Sequence, residues 1–185
     1  MMMPEALSCH RDFPTDAVSR IEVTVDYLPT GKFLLHYRVL GVIDQLILPE
    51  PLPPERSDDL WQQSCFEAFI GASDDPAYLE LNFSPSTQWA AYAFSGYREG
   101  MSDLELVAPP HVECSISADS FDLRAELDLG GLAVMDATVL ELALTAVVAE
   151  KNGRKSFWAL SHASGNPDFH NRDCFLHTIE TAESR

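Results

Sequence analysis

The chain has 185 residues, 46% of them apolar, which is ample for one core and short for two domains. Twelve basic residues stand against 29 acidic ones, a formal charge of −17. So acidic a chain repels nucleic-acid phosphates and anionic membrane surfaces, and the expected consequence is solubility, a solvated anionic surface with no ligand preference of its own.

The first residues, Met1 to Asp12, lack a basic n-region followed by an apolar run. No stretch approaches the roughly 18 apolar residues of a membrane helix, and a cytoplasmic location is expected. Cys9, Cys65, Cys114 and Cys174 lie far apart with no C-x-x-C pair, so the reading is four reduced thiols with no zinc ribbon and no dithiol motif. Residues 1–20 read as an N-terminal extension, 21–180 as one domain and 181–185 as a C-terminal tail.

Apolar residues alternate in many short windows, the period of β-strands. Ile21–Tyr27 and Phe33–Leu40 flank Pro29-Thr30-Gly31-Lys32 and read as a hairpin. A short apolar piece, Leu46 to Leu48, precedes a loop through Pro49, Pro51, Pro53 and Pro54, which cannot donate to a sheet ladder. The segment from Leu60 to Ile70 then suits a strand buried on both sides. Trp61, Cys65, Glu67 and Phe69 point one way along it, and Leu60, Phe66, Ala68 and Ile70 the other. A carboxylate at the centre of such a strand must be hydrogen-bonded, paired, or facing a cleft, so Glu67 is either a fold-fixing group or a ligand contact.

Tyr78–Phe83 alternates cleanly, and Ser84-Pro85-Ser86-Thr87 turns it into Gln88–Phe94, which makes a three-strand meander with the preceding segment. Val112–Ala118 and Phe121–Leu129 form a further pair, the second with charged residues on its outer face. Gly130–Asp136 suits a short helical turn. Val139–Val148 reads as a central strand, joined through Lys151-Asn152-Gly153-Arg154 to Ser156–His162, and Phe175–Ile179 as a strand at a sheet edge. The sum is all-β: a two-sheet antiparallel β-sandwich of about ten or eleven strands.

Candidate ligand contacts follow from residue type. Trp61, Trp89 and Trp158 offer aromatic faces for sugar C–H groups, and Glu67, Asn82, Arg98 and His162 offer hydrogen bonds to hydroxyls. The loop Gly165 to Asp173 gathers Asp168, His170, Arg172 and Asp173 in a density that would suit a metal, although its spacing matches no compact ligand motif. No nucleophile elbow, phosphate-binding glycine loop or H-E-x-x-H is present, so no catalytic residue is assigned. A glycosidase pair would have to be Glu67 with Glu80. A haem ligand would have to come from Met101, His162 or His170.

The stretches Arg56 to Phe69, Tyr78 to Pro85, Trp89 to Tyr92 and Ser156 to His162, with Pro167-Asp168-Phe169-His170, resemble in their order the bacterial DOMON-like proteins related to family 9 carbohydrate-binding modules. The resemblance spans about residues 21–178. It implies a β-sandwich that binds a sugar or haem without catalysing a reaction. It also implies ligand-site roles for Trp61 and Glu67 in a tryptophan-to-acid strand pattern, and for Trp158, His162, Asp168 and His170 in a C-terminal motif. The expected function is therefore non-catalytic binding of a carbohydrate or sugar-containing metabolite. A haem- or metal-binding module and a protein-interaction domain are the alternatives.

Overall fold

The computed structural model describes residues 3–181. Its twelve strands are β1 (Glu5–Cys9), β2 (Val18–Leu28), β3 (Lys32–Gly41), β4 (Cys65–Ala72), β5 (Tyr78–Phe83) and β6 (Trp89–Phe94), followed by β7 (Ser102–Asp103), β8 (His111–Ile116), β9 (Ser120–Asp128), β10 (Val139–Ala149), β11 (Lys155–Ala159) and β12 (His177–Glu180). The only helical pieces among the described residues are short 3-10 turns, one of them at Ala133–Asp136 in the segment read as a helical turn. No helix there is long and apolar enough to cross a membrane.

Neighbouring strands run β7-β6-β5-β4-β10-β11-β1-β2-β3-β9-β8, with β12 beside the first part of β10. All these pairings are antiparallel, and the path curls until its two halves face each other across one core, the expected sandwich. Strict alternation dictates the layering. Phe33, Leu35 and Tyr37 of β3 and Phe121, Leu123 and Ala125 of β9 meet Phe66, Ala68 and Ile70 of β4 and Leu142 and Leu144 of β10, all essentially inaccessible to water. Phe66 lies 5.3 Å from Tyr37 and 5.6 Å from Phe121 between ring centroids. The Tyr37 hydroxyl donates to the backbone oxygen of Glu67 at 2.6 Å, so the polar tip of a core residue clasps the opposite layer.

Three features differ from the sequence reading. The stretch set outside the domain as an extension holds β1 and the start of β2, and β1 joins the halves: Glu5–Leu7 pair with β2 while Ser8 and Cys9 pair with β11. Five residues with no β-branched member carry little strand signal, and their pairing comes from the two neighbours. Secondly, the segment from Leu60 is not one strand. Asp59 adopts a left-handed conformation (φ 60°), a 3-10 turn spans Leu60–Gln62, and β4 begins only at Cys65. Thirdly, Leu46 makes an isolated bridge to Glu150 in place of a strand, while the two-residue β7 adds one. Of the proposed tail, Thr181 is described and residues 182–185 lie outside the described residues.

The four cysteines are all free, Cys65 and Cys174 buried and Cys9 and Cys114 half-buried. Because β1 is the strand through which the halves are laddered together, a chain beginning at residue 10 should lose its cooperative thermal transition by circular dichroism. A chain lacking only residues 1–3 should melt like the parent.

Candidate functional site

The face of β10, β4, β5 and β6 turned away from the core carries the polar residues. In an antiparallel ladder, directly opposed residues share a face, and the register sets Glu67 beside Asn82, Phe69 beside Glu80, Glu80 beside Tyr92 and Tyr78 beside Phe94. On the other side of β4, Thr145 opposes Glu67. Glu67 and Glu80 are thus diagonal neighbours on one surface, roughly 7–8 Å apart at the backbone.

A cavity of about 630 Å³ opens over this face, within the roughly 300–1,000 Å³ of small-ligand sites. Phe69, Tyr92, Phe94, Phe157 and Phe169 line it together with Trp61. Its charged lining is five carboxylates, Asp58, Asp59, Glu67, Glu80 and Asp103, against Arg98, with His170 between.

The loop after β11 covers the far side. Arg172 fastens it: Nη2 donates to the Ala72 oxygen at 2.6 Å and to Glu141 Oε2 at 3.1 Å, and the guanidinium lies 4.8 Å over the Phe175 ring. Gly71 is required beneath it, since a Cβ there would collide with the guanidinium. A second tie comes from the loop after β6. Tyr97 donates to Asp168 Oδ2 at 2.6 Å and Arg98 Nη2 to Oδ1 at 2.8 Å, and Arg98 holds a left-handed backbone (φ 55°) as it does so. Burial acts to raise the Asp168 pKa, but the bonds from Tyr97 and Arg98 and the charge of Arg98 outweigh it and hold the carboxylate ionised.

Hydrogen bonding also fixes the state of His170. The Tyr78 hydroxyl accepts from the backbone N–H of Arg98 at 3.1 Å and lies 2.8 Å from His170 Nδ1. Its one proton is free for Nδ1, and in that arrangement the ring carries its own proton on Nε2, 3.7 Å from Glu80 Oε2. Burial and the Arg98 charge push His170 down to about 4, against the pull of Asp168, so the ring is neutral near pH 7. Glu80 is raised by burial, although the Asn82 amide donates to its Oε1 at 2.9 Å and Arg98 lowers it. Glu67 is only 3% exposed. Burial and the nearby Glu80 charge push it up to about 8, more than the bonds from Thr145 (3.2 Å) and Cys65 take back. At neutral pH it is a carboxylic acid, with an O–H to donate.

Of the residues singled out from the sequence, Trp61, Glu67, Arg98 and His170 line the cavity, Asp168 pins Arg98 at its edge, and Asn82 lies on the same sheet face, bonded to Glu80. Trp89 and Trp158 do not line it. Trp89 opposes Phe83, and Trp158 opposes Ala146, so both point into the core at 8% and 5% exposure. His162 lies past the end of β11, half-buried, with Nε2 on the Ser8 oxygen at 2.8 Å, a bond that ties the covering loop to β1. The cavity residues not singled out are Phe69, Tyr92, Phe94, Phe157 and Phe169, with Glu80 weighed only as half of a hydrolase pair. For Phe69, Tyr92 and Phe94, parity with Glu67 through the meander register is the signal that could have found them; Phe157 on β11 and Phe169 in the loop after it lie outside the meander.

For haem, His170 Nδ1 is bonded to the Tyr78 hydroxyl, and Nε2 lies 3.7 Å from Glu80, too far for a hydrogen bond. Among the described residues no three of His, Cys, Asp or Glu gather as a metal cluster.

No protein-family model matches the sequence, and no curated protein matches it significantly. Solved structures do. A candidate carbohydrate-binding protein from Bacteroides uniformis ATCC 8492 superposes with a TM-score of 0.69 at 13% identity, over 96% of this chain and 84% of that one. A family 9 carbohydrate-binding module from Caldicellulosiruptor kristjanssonii in complex with cellotriose gives 0.57 at 12% identity, over 94% and 80%. A family 9 module from that organism with glucose gives 0.53 at 12%, over 94% and 83%. The chain has the fold of family 9 carbohydrate-binding modules. At these identities the likeness carries no site residue across.

Two predictions follow from these placements. Trp158→Ala should cost about 3–5 kcal/mol in denaturant unfolding, the range for deleting a core tryptophan, with its Nε1 partner Ser156 also released. For Glu67 the sign is set by a folded pKa near 8 above the ordinary 4.5. Between those values the folded state holds a proton that the unfolded state has lost, so its contribution to stability falls as pH rises and levels off above about 8. Glu67→Gln should flatten that part of the pH–stability curve and exceed the parent at about pH 9, by on the order of 3 kcal/mol. Glu67→Ala, which strands the Thr145 hydroxyl, should be less stable than Gln by about 1–3 kcal/mol.

Proposed function

We propose that this chain is a non-catalytic carbohydrate-binding module that takes a sugar in the cavity over β4, β5 and β6. The supporting observation is the cavity's composition: aromatic walls from Phe69, Tyr92, Phe94, Phe157 and Phe169, and polar groups converging at its floor from Glu67, Glu80 and His170. A pyranose ring has the same division, with C–H groups that pack on aromatic rings and hydroxyls that exchange hydrogen bonds with carboxyl and imidazole groups. The fold is one on which modules from other chains hold glucose and cellotriose.

Binding is preferred to hydrolysis because the solved structures with this fold are carbohydrate-binding proteins. Glu67 and Glu80 differ in state, the first protonated and the second supported by Asn82 and Arg98, so the incubation with cellotriose below is the direct test of a two-carboxylate hydrolase.

Calorimetric titration with glucose and cellotriose should detect saturable binding. Trp61, at the mouth and 52% exposed, can be removed without opening the core. Trp61→Ala should therefore weaken binding about tenfold or more and cost under about 1 kcal/mol of stability. Cellotriose incubated with the protein should be recovered intact; release of shorter sugars, or absence of binding by any sugar in a broad panel, would overturn the proposal.

A further inference from the structure

We propose, resting on the carbohydrate reading of the same cavity, that the preferred sugar carries a protonated amine, a glucosamine-type unit in place of a neutral hexose. The first observation is charge. The one arginine in the lining, Arg98, is already paired with Asp168 at 2.8 Å, and Asp103 has Arg56 at 3.2 Å. His170 offers a neutral ring and Glu67 an uncharged acid, which leaves Glu80, Asp58 and Asp59 facing the cavity with no salt bridge to an arginine or lysine among the described residues. A neutral sugar would enter and leave this imbalance as it was.

The second observation is an excess of acceptors at the floor. Glu67 and Glu80 are 3% and 8% exposed, and Asn82 beside them is 1% exposed with an Oδ1 that has no hydrogen-bond partner. Asn82 spends its amide nitrogen on Glu80, and Glu67, which receives the Thr145 hydroxyl, has a single O–H to give, so the group as a whole is short of donors. Of its members Glu67 and Glu80 line the cavity, and an occupant that brings N–H or O–H groups to Glu80 would make up the shortfall. A hydroxyl brings one donated hydrogen and no charge, whereas an ammonium brings three N–H donors and a full positive charge. The aromatic walls of Tyr92, Phe94 and Phe69 accept sugar C–H groups and, at a free ring face, would add an attraction for a cation. Asp58 and Asp59, exposed at the mouth, would steer the same charge inward.

The test is calorimetric titration at about pH 6 and low salt with cellotriose, the glucosamine trimer, the N-acetylglucosamine trimer and trilysine. The glucosamine trimer should bind about tenfold or more tightly than cellotriose or the acetylated trimer, which keeps the shape and loses the charge. Trilysine should bind weakly. Glu80→Gln should narrow the gap between the glucosamine trimer and cellotriose to under about threefold. Asp58→Asn, at an exposed site where an amide oxygen can still accept the Tyr92 hydroxyl that Asp58 holds at 2.6 Å, should narrow it partially. Cellotriose or the acetylated trimer binding as tightly as the glucosamine trimer would overturn the amine and leave the sugar reading standing. Trilysine binding as tightly as the glucosamine trimer would also overturn it, by showing that charge alone is read. Failure of all four to bind would overturn both readings.

Discussion

A carboxyl group at the centre of a strand buried on both faces is the constraint around which this half of the molecule is arranged. β4 has no exposed residue along its length. Its core face is apolar and packs against β3 and β9, so the energetic problem lies entirely on the other face, where Glu67 would cost several kcal/mol as an isolated ion. The chain meets that cost by protonating the group and by giving it Thr145 and Cys65 as neighbours, and the same step turns an acceptor into a group that can also donate. Glu80 is part of the cause. Two carboxyls on one buried surface cannot both be ionised cheaply, and Glu80 is the one to which Asn82 and Arg98 give support.

Such an arrangement depends on a cover. Without the loop that carries Phe169, His170 and Phe175, the aromatic surface of Phe69, Tyr78 and Phe94 would face water, and Glu67 would be hydrated and ordinary. Three polar ties hold the loop from different directions: Arg172 to the end of β4 over Gly71, Asp168 to Tyr97 and Arg98, and His162 to β1. The loop that looked like a ligand set in the sequence is therefore half fastening and half wall. His170 belongs to both, since its Nδ1 completes the Tyr78 and Arg98 chain while its Nε2–H faces Glu80.

How much of this was legible in the sequence depends on what alternation can and cannot say. It showed that Glu67 shares a face with Phe69, and Glu80 with Tyr78 and Asn82, because β5 alternates without a fault over six residues. It could not say which face was the core. Trp158 and Trp89 were read as platforms on residue type, yet their partners across the ladder, Ala146 and Phe83, both lie on the core side. The missed aromatics are the converse error, since Phe94 and Tyr92 in a buried meander look like core until their pairing with Tyr78 and Glu80 is traced. Local backbone events were the least legible. The left-handed Asp59 breaks what composition presents as one long strand, and β1 holds only Leu7 fully buried, so its role comes from long-range pairing that no local window contains.

The separation of the two faces also explains why the fold alone is a weak guide to its ligand. Phe66, Ala68 and Ile70 are fixed by packing against the opposite layer, where a change of even one methylene is felt. Glu67 and Phe69 alternate with them on the same strand and line the cavity, outside that core cluster. A sandwich of this kind can thus keep its architecture at 12–13% identity while the chemistry of the outer face changes residue by residue. In this chain the outer face carries an aromatic cavity lined by five carboxyl groups and a single arginine that is already engaged. On the carbohydrate reading, strands would hold these groups in place before a ligand arrives, so little ordering entropy would oppose binding. Selection would then fall to the hydrogens and charge that the ligand supplies, a property of the outer face that the core neither dictates nor records.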